Sequence, residues 1–121
     1  MADLRAKFMK ILRAEVEDLL EDVGVAERRH AERFARREVT DYVFRQNEAL
    51  FHAEAEALHR IIEYLDCLDL SRYADLDSLV RAVDILVREL VQDHQEPEAA
   101  YRFVSRKVEK VRRYVESGSE P

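Results

Sequence analysis

The sequence predicts an all-α protein: an antiparallel bundle of four helices, one of them overlong (about residues 25–69), assembled as a dimer. Three observations lead there. Apolar residues recur at three- and four-residue steps through most of the chain, the spacing of a buried stripe on a helix. Only two glycines and two prolines are present, too few for the turns of a β fold. Apolar residues make up 47% and charged residues 38%, so a core can form beneath a densely ionised surface. A length of 121 residues suits one domain, expected over 1–117, with a flexible tail at 118–121.

The first helix is expected from about Ala2 to Val23, with Leu4, Phe8, Ile11, Leu12, Val16, Leu19, Leu20 and Val23 on its buried stripe. Gly24 follows, where a left-handed C-terminal cap favours a residue without a β-carbon. No Gly or Pro interrupts Val25 to Asp69, which predicts one continuous second helix of roughly 60 Å. Its weakest point is Val39-Thr40-Asp41, where a bend is expected because β-branched residues and Asp are mediocre helix formers. Two apolar seams run along its second half. One holds Phe44, Phe51, Ala55, Leu58, Ile62 and Leu65; the other holds Ala49/Leu50, Ala53, Ala57, Ile61, Tyr64 and Leu68.

Asp69 to Asp75 reads as a connector, with Ser71 in a short turn and Asp75 capping the next helix. The third helix is expected from about Leu76 to Gln95, burying Leu76, Leu79, Val80, Val83, Leu86, Val87, Leu90 and Val91. Pro97 suits the first turn of a fourth helix that turns Tyr101, Val104, Val108, Val111 and Val115 inward.

Four groups of residues invite a functional reading. The first is a polar stripe on the second helix, Glu48, His52, Glu56, His59 and Glu63. Together with Glu27-Arg-Arg-His30, Glu56-Ala-Leu-His59 resembles the paired Glu-x-x-His motifs with which ferritin-like proteins hold two irons. That resemblance implies a site for Fe, Mn or Zn made from Glu27, His30, Glu48, His52, Glu56 and His59. On one continuous rod, however, the two motifs do not face each other, and a solvated face is the expected role. His59 with His94-x-x-x-Glu98 is similar to part of a hemerythrin pattern, but Pro97 interrupts the second motif and a partly buried core histidine is expected at position 94.

The second group is Arg45 and His52, whose spacing resembles the Arg–His pair of HEPN-type ribonucleases. There a guanidinium would hold phosphate while an imidazole moved a proton. Glu48 between them would repel an anion. The third is a basic stripe, Arg102, Arg106, Lys110 and Arg113, which with Arg28, Arg29, Arg33, Arg36 and Arg37 offers charge for nucleic acid. The net charge of −6 argues against that partner. Pairing with Glu15, Glu17, Asp18, Glu21 and Asp22 accounts for the bases instead. The last is Cys67, read as a small core residue; a lone cysteine forms no intrachain disulfide, which points to the cytoplasm.

With no apolar run approaching the ~18 residues of a membrane span, no membrane partner is expected. No cofactor is expected either. The function read from the sequence is therefore a non-enzymatic scaffold or regulatory module with an unidentified protein partner. It is expected to self-associate through Phe44, Phe51, Ala55, Leu58, Ile62 and Leu65, whose apolar surface exceeds what three ordinary helices cover.

Overall fold

The computed structural model describes residues 3–118, and among them the chain forms four α-helices, one 3-10 turn and no strand. The helices are α1 (Leu4–Ala35), α2 (Asp41–Asp66), α3 (Leu76–Asp93) and α4 (Glu98–Ser117), with the 3-10 turn at Leu70–Arg72. They pack as a bundle.

The long rod expected over 25–69 does not form. Helix α1 runs straight through Gly24 and continues to Ala35, and the chain turns between Arg36 and Thr40. A single glycine inside a helix costs only about 1 kcal/mol. Ala26 and the Glu/Arg-rich run behind it are helix formers that carry the hydrogen-bond ladder onward. The real stop carries no glycine. Arg37 sits in the left-handed region (φ 62°), its N–H donates to the Phe34 carbonyl (2.9 Å), and the Glu38 N–H donates to the Arg33 carbonyl (2.9 Å). These two bonds are those of a Schellman motif, with arginine in the seat usually given to glycine. Thr40 then caps α2, its Oγ1 accepting from the Val43 N–H at 3.2 Å. The weak point at Val39-Thr40-Asp41 is thus a helix start rather than a bend.

The same device ends α3 at Asp93, two residues before the expected Gln95. Gln95 adopts φ 52°, and the Glu96 N–H donates to the Val91 carbonyl at 2.9 Å. Asp75 caps α3 in a reciprocal pair with Ser78, as its position predicts. Gly118 closes α4 in the left-handed region (φ 71°). The expected start at Ala2, and residues 119–121 of the expected tail, lie outside the described residues.

The main core joins Phe8, Leu12, Val16 and Val23 of α1 to Leu58, Ile61 and Leu65 of α2, the inward faces of α3 and α4 closing it. Tyr101 and Leu86 pack at its edge, and Leu4 is largely exposed. Ion pairs link the elements around it: Arg13 to Asp66 (2.6 Å), Glu15 to Lys107 (2.9 Å), Asp77 to Arg112 (2.9 Å) and Arg60 to Glu96. Arg5 ties the N-terminal turn to the connector by donating to the carbonyls of Leu70 (2.8 Å) and Tyr73 (2.6 Å). Among the described residues, no helix is long and apolar enough to cross a membrane.

Candidate functional site: a projecting two-helix arm

Helix lengths decide where the surface is unusual. At 1.5 Å per residue, the 32 residues of α1 span about 48 Å and the 26 of α2 about 39 Å, against about 27 Å for the 18 of α3. The turn between α3 and α4 meets α2 in its C-terminal half. Ala57 packs with Val91 and Ala100, and Arg60 pairs with Glu96. Beyond that level α3 and α4 have ended. Residues 24–35 of α1, the turn, and residues 41–56 of α2 project as a two-helix arm.

Aromatic rings hold the arm together. Phe34 stacks on Phe44 (centroids 4.1 Å apart), and His30 stacks on Phe44 (5.5 Å) and meets Phe51 edge-on (5.9 Å). His30 is the buried polar side chain of the described core, and its Nε2 lies 3.4 Å from the Asn47 side-chain nitrogen. An imidazole suits this place because its faces are apolar enough to stack while one edge nitrogen meets an amide. His30 is therefore a structural pin.

The six residues expected to form a subunit interface are engaged within the chain. Leu58 and Leu65 are core; Phe51, Ala55 and Ile62 pack against that core; Phe44 lies between Phe34 and His30. The cause is the turn at Arg36–Thr40, which lets the second half of α1 cover this seam. The other seam, about 100° round α2, is only half covered. Its middle, Ala57 and Ile61, is buried, whereas Leu50 above and Tyr64 below are each 45% exposed. Further along the arm, Val43 is 41% and Tyr42 71% exposed. Val43 and Gln46 extend this seam by the same three- and four-residue steps, a signal present in the sequence but masked by the assumption of a continuous rod.

The polar stripe points elsewhere. Glu48, His52, Glu56, His59 and Glu63 are all exposed, and His52 Nε2 lies 3.1 Å from Glu56. Folding the arm back does bring Glu27 of α1 to the same open depression as Arg45, Glu48 and His52. Glu27 also lines a small cleft with His30 and Glu48. Even so, among the described residues no three His, Cys, Asp or Glu side chains come together as a group able to hold a metal. His30 is occupied by rings, and Glu56, His59 and Glu63 lie outside the depression.

Arg45 is paired with Asp41 (3.1 Å) and His52 with Glu56, each with a carboxylate four residues away on its own helix. Two further carboxylates, Glu27 and Glu48, border the space between them, which is an unfavourable setting for phosphate. The α4 stripe is similarly offset. Arg102 pairs with Glu98, Arg113 with Glu109, and Lys110 with Glu15, while Arg106 shares a groove with Asp84 and Glu109. Lys107, outside the expected stripe, gives Glu15 its closest cation, and its hydrogen bond holds that carboxyl below the usual range.

Two expected core residues are at the surface. His94 is exposed because it caps α3 where the chain leaves the helix, and Cys67 is exposed as the cap of α2. At the arm's tip, Arg33 pairs with Glu38 (3.3 Å), and Arg36 and Arg37 are exposed without an ion pair among the described residues; Arg28 and Arg29, nearer the arm's base, are exposed and likewise without one. Comparison with family models, curated proteins and solved structures yields no match for this chain.

Proposed function

We propose that this chain is a non-enzymatic interaction module, an antiparallel helical bundle that self-associates through its projecting arm. The observation that carries the reading is the uncovered seam of α2. Tyr42, Val43 and Leu50 stand exposed on an arm that α3 and α4 do not reach. A two-helix projection buries little apolar surface of its own, so a partner that covers the seam supplies the stabilisation that neighbouring helices supply lower down. The candidate catalytic pair is neutralised by neighbouring carboxylates, which favours binding over chemistry. The lone exposed thiol of Cys67 supports a reducing compartment such as the cytoplasm.

Sedimentation velocity across about 10–200 μM tests this reading. A mass rising from 14.3 kDa toward twice that value is the expected result. A single species at the subunit mass throughout refutes it.

A further inference from the structure

The geometry points to a specific partner and register for this arm: the α2 seam of a second copy, crossing antiparallel about a two-fold axis near Glu48. This inference rests on the self-association proposed above and adds the contact face, the register and the charge pattern that sets them.

Three observations carry it. First, Val43, Gln46, Leu50, Ala53 and Ala57 follow a 3-4 repeat, the a and d positions of a coiled-coil seam. At Ala57 and Ile61 this face already packs within the subunit, so the uncovered part at 43–53 continues an existing helix-packing surface past the end of α3. Second, the pattern is self-complementary when reversed. Placing Gln46 opposite the second copy's Leu50 sets Val43 opposite Ala53, pairing large with small, and leaves Ala49 beside its own symmetry mate. Alanine there permits close approach, while Gln46 is a polar seam residue of the kind that fixes register at some cost in stability. The polar stripe of His52, His59 and Glu63 remains in water.

Third, charge favours the same reversal. The antiparallel register carries the tip of one arm, with Arg36 and Arg37 exposed and free of ion pairs among the described residues, toward the α3–α4 end of the other subunit. Glu89 and Asp93 stand exposed there without an ion pair among the described residues, whereas Glu96 and Glu98 are already paired with Arg60 and Arg102. A parallel pairing would place the two basic tips together instead. About four turns of helix on each side make a small interface, so a dimer of micromolar affinity is expected.

The test combines cross-linking with sedimentation. In a Cys67→Ser background, Ala49→Cys should be joined by a short bis-maleimide into a covalent dimer, whereas Glu63→Cys should not. Leu50→Glu should weaken dimerisation by at least about 10-fold, since it places two carboxylates in one seam. Tyr64→Glu, on the same helix below the crossing, should not. The double change Arg36→Glu with Arg37→Glu should weaken it most at low salt. Leu50 is already 45% exposed in the subunit, so a helical, cooperative melt of Leu50→Glu is expected and confirms that folding is intact. A dimer that Leu50→Glu leaves unchanged, or one cross-linked through Glu63→Cys rather than Ala49→Cys, overturns this register while self-association stands. A wild-type monomer at all concentrations overturns both.

Discussion

The position of the chain reversal can be tested with two substitutions whose signs depend on it. With the reversal at Arg37, Gly24 is an ordinary helical residue, and Gly24→Ala recovers the propensity lost to glycine, about 0.8–1 kcal/mol. Space permits it. A β-carbon at Gly24 would meet only the end of the Arg28 side chain, at 3.4 Å, an ordinary contact with a flexible group. Arg37 at φ 62° carries the left-handed penalty of about 1–2 kcal/mol. Arg37→Gly removes it but gives the unfolded chain more freedom, so a net gain of about 0.5–1 kcal/mol is expected. Were the reversal at Gly24 instead, both signs would invert. Alanine would be strained in the cap, and glycine at position 37 would weaken a helix interior. Thermal or urea unfolding reads the outcome, each kcal/mol moving the midpoint by about 3–6 °C in a chain of this size. Two destabilised variants would refute the observed hairpin.

Three other outcomes follow from particular side chains. His30→Ala should cost about 2 kcal/mol by removing ring contacts with Phe44 and Phe51, and hydrogen exchange should quicken in residues 24–56 before the rest of the bundle. Lys107, foremost, holds the Glu15 carboxyl below its usual range, so the unfolded chain takes up its proton first as the pH falls. The stability from this contact is complete above the unfolded-state value and is lost as the pH falls through the folded one; Glu15→Gln should flatten acid unfolding in that window. Glu54 behaves oppositely, because burial raises its carboxyl. The native state holds that proton longer, so stability falls as pH rises between the unfolded and folded values. Glu54→Gln should therefore stabilise the protein at neutral pH and make no difference in acid, as read from unfolding curves at several pH values.

Class, helix number and most inward faces were legible in the sequence because each rests on a repeated signal. The valines of α4 and the Leu/Val face of α3 agree with helical periodicity at every turn, and Asp75 announces its cap. The site was harder to read because it depends on one hinge. Gly24 reads as a helix stop, yet a glycine followed by strong helix formers is a small defect, whereas Arg37 and Gln95 accept a left-handed backbone with no signature in composition. That single displacement exchanged the roles of the two α2 seams. It takes Phe44, Phe51 and Leu58 from the outside to the inside, and leaves Leu50 of the other seam exposed beside Val43, which neither predicted seam contains. His94 and Cys67 are exposed, not core, for a related reason: both lie beside apolar residues in sequence but at helix ends, where the chain turns away from the core.

The reversal also changes what the arm means physically. A continuous rod would have exposed two edges along its length and given no reason to prefer one. A hairpin satisfies one edge internally, through Phe34, His30, Phe44 and Phe51, and so leaves a single apolar face with a defined direction. That face is narrow, interrupted by Gln46 and bounded by the exposed Glu48 and His52 on its outer side. Such a surface admits few registers, because shifting a helical partner by one residue rotates its face by about 100°. The unpaired arginines at the tip narrow the choice further, since they penalise any partner that presents another basic end. In the proposed dimer, specificity would thus come from what the arm excludes as much as from the modest apolar area it offers.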